Sequence, residues 1–138
     1  MLAAGGVCGR ATLRAVSAFR FHHVQLAMPP GAEAERAARA FYGGALGMAE
    51  VAKPPALAER GGAWFGAGGL ELHLGVEPDF RPARKAHPAI VVDDLDGLAA
   101  RLRAAGAEPR FDADLPGHRR FYVDDCFGNR LEFLQPAG

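Results

Sequence analysis

The sequence predicts an α+β fold built from two βαβββ modules. Two observations support this. The pattern strand, helix, strand, strand, strand occurs twice along 138 residues, and a glutamate between apolar residues lies near the end of each half, as Leu70-Glu71-Leu72 and Leu131-Glu132-Phe133. A chain of this length suits one domain. We therefore predict a single domain over residues 20–136, with module one at 20–78, module two at 85–135 and an N-terminal extension at 1–19.

Module one begins with a segment of alternating character, residues 21–28, which predicts a strand. Residues 31–42 are rich in Ala, Glu and Arg and predict a helix that stops at Gly43-Gly44. Residues 49–53 predict a short strand ended by Pro54-Pro55. Two further strands are predicted at 63–65 and 70–76. In the second, leucines share one face, and Glu71 and His73 share the other.

Module two repeats the order after a linker rich in proline and basic residues. Residues 87–92 predict a strand, and residues 93–106 predict a helix that Asp93 or Asp94 caps and Gly106 ends. Strands are predicted at 109–111, 121–123 and 129–134, with a turn at 124–128 before the last one.

Composition excludes several classes of protein. Lys+Arg and Asp+Glu both number 16, so the net charge is zero and the basic footprint of a nucleic-acid-binding protein is missing. No run approaches the ~18 apolar residues that predict a membrane span. Two cysteines, Cys8 and Cys126, form neither a disulfide framework nor a C-x-x-C site, which favours the cytoplasm.

The first 20 residues contain three arginines and no acid. Organellar targeting by this stretch is one interpretation, and a misplaced start codon or a disordered tail is the interpretation we favour.

Equivalent histidines and glutamates occur in the two modules. His23 precedes Glu71 by 48 residues, and His87 precedes Glu132 by 45. Each histidine begins the first strand of its module and each glutamate lies in the last. Imidazole and carboxylate together suit Zn, Ni, Fe, Mn or Co, so the four residues predict a divalent-metal site. A metal with open coordination positions polarises a carbonyl or phosphonate oxygen and stabilises an enolate.

The sequence resembles the vicinal oxygen chelate superfamily, which includes glyoxalase I, extradiol dioxygenases, fosfomycin resistance enzymes and bleomycin-binding proteins. The similarity spans about residues 20–135. It is carried by the following segments: His23-Val-Gln-Leu, Arg39-Ala-Phe-Tyr42 with Leu46-Gly-Met48, Leu70-Glu-Leu72, Asp93-Asp-Leu-Asp96, and residues 121–132. The last segment is similar to the family pattern F-Y-x-x-D-P-x-G-x-x-x-E, with Cys126 in place of the proline.

The resemblance implies a glyoxalase-like open, cupped sheet around a metal, and a homodimer. It implies metal ligation by His23, Glu71, His87 and Glu132, with a glutamate also transferring a proton. It also implies that His22 points into the layer packed by helices. His73, two residues after Glu71 on the same face, is an alternative ligand or a general base. We prefer Glu71, because its register matches that of Glu132.

Other side chains are candidates for substrate binding. Arg120 and Tyr122 alternate on the strand before the final turn, and Arg120 is suited to binding an anion. Gln25 and Trp64 are further candidates. His118 and Arg119 are more simply interpreted as solvated residues.

We therefore expect a metal-dependent enzyme of glyoxalase type that acts on a small oxygen-chelating substrate, with Glu71 or Glu132 moving a proton and His73 as a further catalytic candidate. One alternative is a metal-free binding protein of the bleomycin-resistance type. Another is a thiol transferase of the fosfomycin-resistance type, although the lysine- and serine-rich loop of those enzymes is missing between residues 106 and 120. We expect no nucleic-acid or membrane partner.

Overall fold

A computed structural model of the protein describes residues 17–138. The described residues form two four-stranded mixed sheets with helices, which confirms the predicted α+β class and the βαβββ order. Residues 1–16 of the predicted extension lie outside the described residues. Residues 17–23 precede the first strand without regular secondary structure.

Module one contains four strands, one long helix and one short helix. Their bounds are β1 Val24–Met28, α1 Ala32–Ala38 continued by a π-helical segment Arg39–Ala45, β2 Ala49–Val51, α2 Pro55–Ala58, β3 Ala63–Ala67 and β4 Leu70–Val76. The sheet order is β1-β4-β3-β2. β1 runs parallel to β4, and the other two pairs are antiparallel.

Module two repeats this topology with a single helix. Its elements are β5 Ala89–Val91, α3 Leu95–Ala104, β6 Arg110–Asp112, β7 His118–Asp124 and β8 Arg130–Pro136. The sheet order is β5-β8-β7-β6, with β5 parallel to β8. Asp94 caps α3 as predicted, because its carboxylate accepts a hydrogen bond from the Gly97 amide at 3.0 Å.

The prediction that Gly43-Gly44 stops the first helix is wrong. The chain continues through both glycines to Ala45 by widening into π geometry. Phe41 and Tyr42 in this segment are buried, so tertiary packing outweighs the low helix propensity of glycine. The short helix Pro55–Ala58 was not predicted, although a proline at its first position is typical of a helix start.

The two first strands are shorter than predicted. β1 begins at Val24 rather than residue 21, and β5 begins at Ala89 rather than residue 87. Pro88 has no amide hydrogen for the ladder, so β5 cannot extend across it as regular paired strand. As a result His23 lies one residue before β1 and His87 lies two residues before β5, so neither belongs to a strand.

The modules are joined by a buried polar network beneath the final turn. Tyr42 donates a hydrogen bond to Asp125 at 2.6 Å, and Asn129 donates to Asp125 and to the Ala27 carbonyl at 3.0 and 2.8 Å. Tyr42 and Asn129 are buried to 0% and 1% exposure. Because Tyr42 and Ala27 belong to module one, this network fixes the last hairpin of module two against module one.

Candidate functional site

The module-one part of the site is a stack of three aromatic rings. β3 pairs with β4 so that Trp64 lies opposite His73. The indole and imidazole planes are inclined by 3° with centroids 3.8 Å apart, and the His23 ring stacks on His73 with a centroid distance of 4.1 Å. His73 is 3% exposed and therefore lies sealed between two rings.

Glu71 lies at the edge of this stack. His73 Nε2 donates a hydrogen bond to Glu71 Oε1 at 2.9 Å, and this bond lowers the pKa of the Glu71 carboxyl below its usual value. The Glu71 side chain is about one-third exposed, so its second oxygen remains accessible. The geometry therefore gives His73 a partner in Glu71 and leaves Glu71 free to contact a further group.

His22 lies outside the layer packed by helices. It is exposed, and its Nδ1 lies 3.0 Å from Nδ1 of His23. The orientation that the resemblance implied for His22 is wrong, because β1 begins only at Val24 and strand alternation does not govern residue 22.

The module-two part of the site is a second histidine–glutamate pair. β5 lies parallel to β8, and the Glu132 amide donates to the Pro88 carbonyl at 3.1 Å, which brings residue 87 beside the end of β8. His87 Nε2 lies 2.9 Å from Glu132 Oε1, and His87 Nδ1 donates to the Lys85 carbonyl at 2.8 Å. Glu132 is 5% exposed, so its buried carboxylate relies on side-chain partners for its hydrogen bonds.

Arg120 is the other partner of Glu132. Its Nη1 lies 3.3 Å from Glu132 Oε2, while Nε and Nη2 bind both oxygens of Asp112 at 2.8 and 3.2 Å. These bonds hold the pKa of the Asp112 carboxyl below its usual value and raise that of the guanidinium. Arg120, expected to bind a substrate anion, thus has its donors engaged by two carboxylates.

Tyr122 lies at the centre of the module-two sheet face. Its ring meets His87 edge-on at a centroid distance of 5.4 Å, and the guanidinium groups of Arg120 and Arg130 lie 4.9 and 5.1 Å from its centroid. Sequence reasoning missed Arg130. Its position two residues before Glu132 was the available signal, because alternate residues of a strand share a face.

One cavity of about 600 Å³ reaches both modules. His23, Gln25, Glu71 and His87 are among its lining residues, whereas Glu132 lies behind His87. Within residues 17–138, no group of three or more metal-binding side chains is close enough to hold one ion. A single chain therefore places the predicted ligands His87 and Glu132 in contact in module two. In module one Glu71 contacts His73, and the predicted ligand His23 stacks on that histidine.

Two weaker candidates lie in other surroundings. Arg119 forms a bidentate ion pair with Asp96 at 2.9 Å for both bonds, and both side chains are at least half exposed. Nδ1 of His118 contacts the Pro116 carbonyl at 3.3 Å. Both residues fit the solvated interpretation.

The donor set is chemically suited to a borderline divalent metal. Each module offers one imidazole and one carboxylate, and each carboxylate is held by a neighbouring side chain as metal ligands usually are. The side chains predicted to hold an ion, His23 and Glu71 in module one and His87 and Glu132 in module two, remain a prediction.

Comparison with known proteins agrees with this architecture. The family model described as Glyoxalase/Bleomycin resistance protein/Dioxygenase superfamily matches residues 18–133. No curated protein matches the chain in sequence. A crystal structure of a glyoxalase family protein from Bacillus anthracis shares 40% identity, with a TM-score of 0.78, and covers 88% of this chain and 100% of that one.

Two more distant structures share the fold. Lactoylglutathione lyase from Agrobacterium tumefaciens is 20% identical, with a TM-score of 0.60 and coverage of 81% of this chain and 91% of that one. A mutant fosfomycin resistance protein from Listeria monocytogenes, complexed with Mn(II) and 1S,2S-dihydroxypropylphosphonic acid, is 17% identical, with a TM-score of 0.70 and coverage of 88% and 95%. In the part of the chain that is described, no helix has the length and apolar character of a membrane span.

Proposed function

The chain belongs to the Glyoxalase/Bleomycin resistance protein/Dioxygenase superfamily, and from that premise we propose that it is a divalent-metal-dependent enzyme acting on a small oxygen-chelating substrate. The observation that carries this proposal is a glutamate held against a histidine in each module. A histidine Nε2 lies 2.9 Å from a glutamate Oε1 between His87 and Glu132, both predicted ligands, and between His73 and Glu71, where the predicted ligand His23 stacks on His73. A binding protein without a metal has no need of such paired donors.

The proposed metal ligands are His23, Glu71, His87 and Glu132. When bound, the metal would polarise a substrate oxygen and stabilise negative charge that develops on it. Glu71 is suited to moving a proton, because it is partly exposed and His73 favours its ionised form. Glu132 is buried and shares Arg120, so it is better suited to holding the ion.

His73 acts in this proposal as a positioning residue for Glu71. The two faces of its imidazole ring are covered by Trp64 and His23, and its Nε2 is directed at Glu71. This arrangement supports Glu71, rather than His73, as the second module-one ligand beside His23.

We further propose that a homodimer completes the site. Among residues 17–138 the predicted ligands of module one and of module two form no group close enough to hold one ion, and a four-ligand site requires the two sets to meet. In a two-fold dimer, module one of each protomer meets module two of its partner once, and the two contacts related by symmetry would give two equivalent sites. The relatives implied by the resemblance are commonly dimeric, which supports this arrangement.

Metal uptake tests the proposal directly. We expect plasma emission spectrometry to find a stoichiometric divalent metal in the wild-type chain. The midpoint temperature of thermal unfolding should rise when one of Ni, Mn, Zn or Fe(II) is added and fall again with EDTA. His87→Ala should abolish uptake, whereas His118→Ala, a matched change outside the site, should leave it intact.

Two results would contradict the metal-dependent enzyme. One is metal content in His87→Ala equal to that of the wild type. The other is the lack of any metal-dependent shift in a protein that still binds small apolar ligands, which would favour the sequestration protein instead.

A further inference from the structure

The segment between the modules is held against the start of β8. The Ala83 amide donates to the Asn129 side-chain oxygen at 3.0 Å, and the Arg130 amide donates back to the Ala83 carbonyl at 2.9 Å. Pro82 packs so closely on the final turn that a Cβ at Gly128 would lie 3.2 Å from it. Arg84 is therefore placed beside Arg130 by backbone contacts.

A cavity of about 410 Å³ opens where these two arginines lie. Its lining includes three arginines, Arg84, Arg110 and Arg130, together with the Asp124 carboxylate and the apolar Pro82 and Phe127. Arg110 is paired with Asp124 at 3.2 Å. Neither Arg84 nor Arg130 forms an ion pair with any residue between 17 and 138, so the cavity carries two uncompensated positive charges.

Arg130 also borders the proposed metal site. It shares a strand face with Glu132 two residues away, which is about 7 Å along an antiparallel strand. Its guanidinium lies 5.1 Å from the Tyr122 ring, and that ring contacts His87. The aromatic contact limits the movement of the guanidinium while its N–H groups remain available.

The contrast with Arg120 identifies which arginine is available to a ligand. Arg120 is bound by Asp112 on one side and Glu132 on the other, whereas no carboxylate of the described chain binds Arg130. A guanidinium that binds a carboxylate or a phosphoryl group does so through two parallel hydrogen bonds, and Arg130 and Arg84 bring two such groups to the lining of one cavity.

We propose that Arg84 and Arg130 form a binding subsite for an anionic group, a carboxylate or a phosphoryl, of the substrate. The assignment to a substrate rests on the proposed function. It implies a small molecule with metal-chelating oxygens at one end and an anionic group at the other. Anion binding itself requires neither the metal nor catalysis.

Calorimetric titration of the metal-free full-length chain tests this subsite. Inorganic phosphate and acetate are titrated separately at low ionic strength, where exposed charges are least screened. We expect phosphate, acetate or both to bind the wild type. Binding of acetate points to a carboxylate group in the substrate, and binding of phosphate alone points to a phosphoryl group.

Substitutions locate the binding. Arg130→Gln and Arg84→Gln should each lower the affinity for the anion at least tenfold. Arg130→Lys should lower it less, because the charge remains but the paired N–H groups do not. Arg103→Gln removes a charge from the exposed end of α3 and should leave affinity unchanged. Far-ultraviolet circular dichroism checks that each variant is folded.

The subsite is disproved if neither anion binds the wild type, or if Arg130→Gln and Arg84→Gln bind as tightly as Arg103→Gln. Failure of the metal proposal looks different. In that case His87→Ala and the wild type would have equal metal content, while phosphate or acetate binding would still depend on Arg130.

Discussion

The imidazole of His73 lies face to face with the indole of Trp64, with centroids 3.8 Å apart and planes inclined by 3°. Trp64 is the single tryptophan of the chain. His73 also stacks on His23, a proposed metal ligand. This stack therefore connects the intrinsic fluorescence of the protein to the candidate site.

His73→Ala should raise the pKa of Glu71 toward its ordinary value, because the variant removes the hydrogen bond that is the main cause of its depression. The measurement is a carboxyl-carbon NMR titration of the metal-free protein labelled at glutamate. His118→Ala serves as the control and should leave the Glu71 titration where it is. An unchanged titration in His73→Ala would show that His73 does not position this carboxylate.

Mixing two variants that each lack one proposed metal ligand tests whether the site spans a dimer. His23→Ala and His87→Ala should each fail to bind metal alone. Refolded together in equal amounts, half of the dimers would be mixed and each would contain one intact site, so about a quarter of the wild-type metal should return. Recovery is measured by plasma emission after gel filtration. No recovery, with mixed dimers present by native mass spectrometry, would place all four ligands in one chain.

Tyr42→Phe should destabilise the fold by about 1–3 kcal/mol, because it leaves the buried Asp125 without one of its donors. Urea unfolding measures the change. Tyr122→Phe removes the other tyrosine hydroxyl of the chain from a half-exposed position and should cost less than about 0.5 kcal/mol. Equal losses in the two variants would mean that the network between the modules contributes little.

Asp112→Asn should lower the urea midpoint at pH 7 but much less at pH 3. Arg120 holds the pKa of the Asp112 carboxyl below its unfolded value of about 3.9. A depressed folded-state pKa stabilises the protein above the unfolded value, and that stabilisation is lost as the pH falls through the folded one. Asp79→Asn, an exposed position, should show no such difference. A loss of the same size at both pH values would contradict the role of the ion pair.

The repeat in the sequence was sufficient to predict the order of elements. It matched His23 with Glu71 and His87 with Glu132, and the structure places His87 against Glu132 but His73 against Glu71. Period-2 alternation places Glu71 and His73 on one face, and the same frame recurs at Glu132. These patterns are local, so they can be read without knowing how the modules pack. The π-helical passage through Gly43-Gly44 was not predictable in this way, because burial of Phe41 and Tyr42 decides it.

By itself, the sequence determined the α+β class, the two modules and the residue types suited to a divalent metal. Only the tertiary structure decided how the charges are shared. Arg120 forms an ion pair with Asp112 on a neighbouring strand, whereas Arg130 lines a cavity with Arg84 and forms no ion pair within the described residues. The reason is that strand register, and the hydrogen bonds that hold the segment between the modules against β8, determine which charges lie within a few ångströms of each other. Electrostatic pairing depends on that distance.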